Sequence, residues 1–163
     1  MSPADRLGPA PFRFTPAGGP TASSRAYSLT FRGIATLFVF GAACWLVHLW
    51  QQGQFAAGRG TLGAWFLAAI ALMLWTWWCI VRSVTTLDAT ELRQTWIWTK
   101  RMPLGELAYA RVIRVRGLEW LIAPRIYVRT LLGKFAVFYA AEPAMVAEFE
   151  RLAAELAGLR QRG

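Results

Sequence analysis

Thr61–Val81 reads TLGAWFLAAIALMLWTWWCIV, twenty-one residues without a charge. A bilayer core of ~30 Å needs ~20 helical residues to cross it, so this block alone is long enough to span. A second block, Ile34–Trp50 (IATLFVFGAACWLVHLW), reaches the same length once Phe31–Gly33 are added. Together they predict a two-helix transmembrane hairpin over residues 29–82, with spans at about 31–50 and 61–81. The Gln- and Gly-bearing stretch Gln51–Gly60 makes the polar connection.

The residues around the blocks fit that reading. Trp50 and Trp65 fall at one end of the hairpin, and Trp75, Trp77 and Trp78 crowd toward the other, at the depth where indoles settle. Arg25 and Arg32 precede the first span, and Arg82, Arg93, Lys100 and Arg101 follow the second, whereas the connection holds only Arg59. Counting cations in this way predicts that both termini are cytoplasmic. Arginine outnumbers lysine sixteen to two, which hints at a GC-rich bacterial genome. The expected location is therefore the bacterial inner (cytoplasmic) membrane, as a multi-pass protein.

Composition agrees. Apolar residues make up 56% of the 163-residue chain and charged residues 17%, against roughly 25% charged in soluble domains. The net charge of +9 brings no nucleic-acid recognition motif with it. No nucleic-acid partner is expected, and membrane lipid accounts for the charge. Cys44 and Cys79 lie one in each block at different expected depths, too far apart for a disulfide. Both read as small buried apolar residues.

Residues 1–28 hold five prolines among Gly, Ala, Ser and Thr, a composition that buries too little to offset ordering entropy. They predict a disordered Pro-rich cytoplasmic tail. Its apolar run starts too late for a cleaved signal peptide.

Residues 83–163 change character. Glu91–Trp98 alternates, with Leu92, Trp96 and Trp98 on one face and Glu91, Arg93 and Thr95 on the other, the period of a half-buried strand. Tyr109–Arg116, a weaker Glu119–Ile122, Arg125–Thr130 and Phe135–Ala140 follow, broken by Gly117, Pro124 and Gly133. Six or seven short antiparallel strands are expected. Pro143 then opens a helix whose Val146, Phe149, Leu152, Leu156 and Leu159 form one apolar face. The fold class is a membrane helical hairpin plus an α+β domain, an antiparallel barrel or sandwich capped by a C-terminal helix.

Several segments carry a family resemblance. Val84–Leu92 looks like a first hairpin set directly after a membrane span. Thr95-Trp96-Ile97-Trp98 with Met102–Leu107 looks like the next strand and turn. Tyr127–Thr130, Gly133-Lys134 and Phe135–Ala140 look like the last hairpin before the helix. Over residues 30–159 the chain resembles small bacterial membrane proteins in which a bacterial PH-like domain follows a transmembrane hairpin. The resemblance implies a PH-like cytoplasmic domain over 83–163, serving binding and assembly, with no catalytic residues to carry over.

The residues themselves offer little chemistry. His48, the only histidine, sits in the first block, and neither block contains Asp or Glu, so proton-relay partners are absent there. No phosphate loop, zinc cluster or nucleophile–base motif occurs. The expectation is no enzyme, no cofactor and no metal. Candidate contacts for anionic lipid or a partner are Lys100, Arg101, Arg114, Arg116, Arg125, Arg129 and Lys134, on a domain tethered with almost no linker. The expected function is a non-enzymatic adaptor or scaffold touching protein, another copy of itself, or anionic lipid. The alternative is an accessory subunit of a larger membrane enzyme or transporter, held through the hairpin. Possible partners are therefore lipid, a homo-oligomer or a membrane protein.

Overall fold

The computed structural model describes residues 12–53 and 60–162. Element order is β1 (Thr21–Arg25), α1 (Leu29–Gln51), α2 (Gly60–Arg82), β2 (Val84–Asp88), β3 (Glu91–Gln94), β4 (Lys100–Pro103), β5 (Leu107–Ile113), β6 (Arg125–Thr130), β7 (Phe135–Tyr139) and α3 (Pro143–Arg162), with one 3-10 turn at Leu104–Glu106. Two antiparallel sheets, β1-β2-β3-β4 and β5-β6-β7, share one core with α3.

The two long helices form as the apolar blocks require. Ser28 caps α1, its Oγ accepting from Phe31 N–H at 3.2 Å. Only 6% of the most apolar stretch of each helix is buried. Leu37, Phe38, Trp45 and Val47 on α1, and Leu67, Leu72, Trp75 and Trp78 on α2, are exposed. Both helices are long and apolar enough to cross a membrane. Where they meet, Trp77 Nε1 donates to Thr36 Oγ1 at 2.8 Å and the Trp77 ring stands edge-on to Phe40. Cys79 is buried, as expected, whereas Cys44 is exposed, contrary to the expectation. A helix that is apolar all round carries small residues outward as readily as inward, so the sequence did not separate them.

Alternation builds the sheets. Thr85 and Leu87 on β2, Leu92 and Gln94 on β3, and Met102 on β4 point inward. Ile126 and Val128 on β6 and Phe138 on β7 meet them from the other sheet. Asp88 makes the β2–β3 turn, its Oδ1 accepting from the N–H groups of Thr90 and Glu91 at 2.7 Å. Gly133, at φ +81°, makes the β6–β7 turn. Buried polar groups stitch the layers together: Thr85 Oγ1 donates to Tyr139 O at 2.6 Å, and Tyr139 N–H donates to Gln94 Oε1 at 3.4 Å.

Four expectations need correction. Residues 12–28 are not a tail. Thr21–Arg25 pairs along its whole length with β2, Ser23 opposite Thr86, and Phe14 is fully buried in the core. Polar Thr, Ser and Arg side chains suit an edge strand when a partner supplies the ladder, and that partner lies about sixty residues further on, beyond both helices. The hairpin is thus an insertion between the first two strands, and the domain runs on both sides of it. The expected tail's first eleven residues lie outside the described ones.

Second, among the described residues no pairing closes the sheets into a barrel; they form an open sandwich. Third, β3 stops at Gln94: Thr95 is still bonded to Ser83 and Val84, and the chain then bends over residues 96–98. Fourth, β5 spans Leu107–Ile113 instead of 109–116, and Glu119–Ile122 is a turn-rich loop instead of a strand.

Candidate functional site

The open side of the sandwich leaves two strands without outer neighbours among the described pairings, β4 in one sheet and β7 in the other. Between them lies a cleft of about 750 Å³, lined by Lys100, Arg101, Met102, Pro103 and Glu106 on one wall and by Gly133–Val137 on the other. Three of the seven candidate cations, Lys100, Arg101 and Lys134, meet here. Glu106 is the single acid among the lining residues. An edge strand presents a row of backbone donors and acceptors to whatever lies beside it, so the cleft combines main-chain pairing capacity with positive charge.

Register explains part of this charge. Arg93 lies directly opposite Arg101 across β3–β4, on the outer face of the sheet. Like charges so placed repel, and the Arg93 Nε is buried without a hydrogen-bond partner. Sequence reading did not single out Arg93, because its neighbour across the sheet follows only from the β3–β4 register. Lys100 extends over the Trp96 ring at 5.7 Å.

The other four candidates lie elsewhere. Arg114 binds Glu150 of α3 at 2.6 Å, which makes it a strut between the end of β5 and the helix. Arg116 is exposed in the following loop. Arg125 and Arg129 point to the outer face of the second sheet, Arg125 opposite Tyr139 and Ile113, Arg129 opposite Tyr109 and Phe135. Arg129 shares a smaller cavity of about 420 Å³ with Tyr109, Tyr127 and Arg160. Tyr127 packs between Tyr109 and Phe135 in a short aromatic row on that face. The seven cations are therefore not one patch.

The segment just before β1 is clasped by α3. Ala17 N–H donates to Glu148 Oε1 at 3.0 Å, Arg151 bridges to Glu148 at 2.9 Å, and the Arg151 guanidinium sits over the Phe14 ring. At the other end of the sandwich Tyr27 stacks between Phe31 and Tyr139. Burial pushes its phenol above the ordinary range, and Tyr139 adds to the effect. For Asp88, burial acts to raise the carboxyl, but donors from Glu91 and Thr90 outweigh it and leave it below the usual range. These shifts belong to packing and turn structure.

The His48 ring is hydrogen-bonded to the Gln52 side chain at 2.9 Å, at the end of α1. Among the described residues no group of three or more His, Cys, Asp or Glu stands close enough to hold a metal. What the cleft can do is bind: an extended, anionic segment would find edge-strand backbone and three cations together. No family model, curated protein or solved structure matches this chain.

Proposed function

We propose that the protein is a non-enzymatic membrane adaptor: a helical hairpin spans the bilayer and holds a PH-like domain against its cytoplasmic face. The cleft between β4 and β7 receives an anionic partner there. One observation carries the reading. The strand before the hairpin pairs residue for residue with the strand after it, while the helices between them bury almost none of their apolar surface. A soluble protein leaving two such helices uncovered would expose far more contiguous apolar area than water tolerates. A bilayer removes that cost. Because β1 and β2 belong to one sheet, both flanks of the hairpin lie on one side of whatever it crosses.

The PH-like reading rests on strand order. Four antiparallel strands, then three, then one C-terminal helix across the sandwich is the layout of that fold, here with the hairpin inserted after the first strand. The bacterial inner membrane is favoured by the arginine-rich composition and by the cations flanking the helices.

A photo-crosslinking residue placed at Arg101 in the full chain, in native membranes, tests the cleft. The expected result is a discrete adduct that disappears in Lys100→Glu/Lys134→Glu, with none from the same residue placed at Ala157 on exposed α3. No adduct at Arg101, or equal labelling from both positions, would contradict the assignment.

A further inference from the structure

Three tryptophans lie outside the helical hairpin, Trp96, Trp98 and Trp120, out of nine in the chain. All three occur in two loops. One loop, Thr95–Thr99, joins β3 to β4; the other, Arg114–Pro124, joins β5 to β6. Each loop is hydrogen-bonded to a residue that flanks a helix end. Ser83, one residue beyond α2, donates from Oγ to Thr95 O at 2.5 Å, and Val84 N–H donates to Thr95 Oγ1 at 3.1 Å. Ser28, the cap of α1, donates from Oγ to Leu121 O at 2.9 Å. The loops are thus pinned beside the two helix ends at which the hairpin enters the domain.

Their side chains are the wrong kind for a water-facing loop. Ile97, Trp98, Leu118 and Trp120 are all exposed, Trp98 at 62% and Trp120 at 58%. Trp96 packs against Trp98 and leaves its own indole N–H buried without a partner. Cations surround the tips: Lys100 beside Trp96, Arg116 in the second loop, and Arg82, whose guanidinium lies 4.0 Å over Trp78 at the end of α2. Exposed indoles mixed with Lys and Arg, at the level where an apolar helix emerges, match the headgroup layer of a bilayer.

We infer that these loops form a lipid-embedded collar, seating the base of the domain in the headgroup layer beside each of the two helix ends. The inference rests on the membrane reading above and adds to it a site, with lipid headgroups as its ligand. It also gives the domain a fixed stance. Two helices alone would let it tilt, whereas two further contacts flanking them set which way the β4–β7 cleft faces.

An internal control exists. Leu131 and Leu132 in the β6–β7 turn are more exposed still, near 80%. They lie at the far end of β6, six residues from the Arg125 end, roughly 20 Å at 3.3 Å per residue. Exposure alone would mark them equally; position relative to the helix ends does not.

The full chain, with Cys44→Ala and Cys79→Ala, is placed in nanodiscs of mixed phosphatidylcholine and phosphatidylglycerol. Single cysteines at Ile97, Trp120, Leu132 or Leu72 carry an environment-sensitive fluorophore, and lipids bear a quencher at the headgroup or along the acyl chain. All four positions are exposed, so the label fits without repacking. Headgroup quenching at 97 and 120 is expected to exceed that at 132 by roughly threefold or more, with acyl-chain quenching at 72. Quenching at 97 and 120 no greater than at 132, with 72 still quenched by acyl-chain lipid, would overturn the collar and leave the membrane reading standing. Loss of quenching at 72 would overturn both.

Discussion

Trp77 of α2 donates its indole N–H to Thr36 Oγ1 of α1 at 2.8 Å, and Thr36 in turn donates to Arg32 O at 2.8 Å within its own helix. This is a side-chain hydrogen bond between two mostly apolar helices, and the indole would lose its partner if the helices separated. Such bonds in membrane helices contribute about 1 kcal/mol. Trp77→Phe and Thr36→Val should each lower the detergent-solubilised thermal stability by a comparable amount. The double variant should cost little more than either one. Fully additive losses would show that the bond contributes nothing.

Phe14 decides where the domain begins. It is fully buried among Leu87, Leu92, Phe138 and Phe149 in the shared core, in a segment whose composition reads as disordered. Phe14→Ala should destabilise the domain by about 3–5 kcal/mol in denaturant unfolding followed through the β-sheet signal. A loss within about 0.5 kcal/mol, typical of an indifferent surface site, would mean that residues 12–20 are peripheral after all.

Asp88 links the β2–β3 turn to pH. Its folded carboxyl lies below the unfolded value of 3.8 because its three donors outweigh burial. A depressed carboxyl stabilises the fold above the unfolded pKa, and that stability is lost as pH falls through the folded one. Asp88→Asn keeps one acceptor and removes the charge. Wild type should therefore exceed Asp88→Asn in stability at about pH 6, with the gap closing toward about pH 3. Unfolding curves at the two pH values measure this, and a gap independent of pH would contradict it.

How much of this was legible from residues depends on the range of the contacts. Arg125–Thr130, Phe135–Tyr139 and the helix from Pro143 stand where alternation and helical spacing put them, because their periods repeat within a few residues. The two apolar helices were equally plain. Thr21–Arg25 was not, since five small or polar residues carry no strand period and their partner lies beyond both helices. The open edge escaped too: nothing local says whether β4 and β7 pair. Of the seven candidate cations, Lys100, Arg101 and Lys134 converge, Arg114 is taken by Glu150, and the rest scatter. Arg93 could be found only from register, and the tryptophan loops only from the hydrogen bonds that pin them to Ser28 and Ser83.

The central claim is that the hairpin crosses the bilayer while the strands before and after it stay together on one side. Single cysteines at Ser23 on β1, Ala157 on α3 and Gln52 at the far end of α1, in a Cys44→Ala/Cys79→Ala background, test it with a membrane-impermeant maleimide on intact cells. The account predicts that Gln52→Cys is labelled at once, and that Ser23→Cys and Ala157→Cys react only after permeabilisation. Equal labelling at all three positions, or a difference between Ser23→Cys and Ala157→Cys, would contradict it.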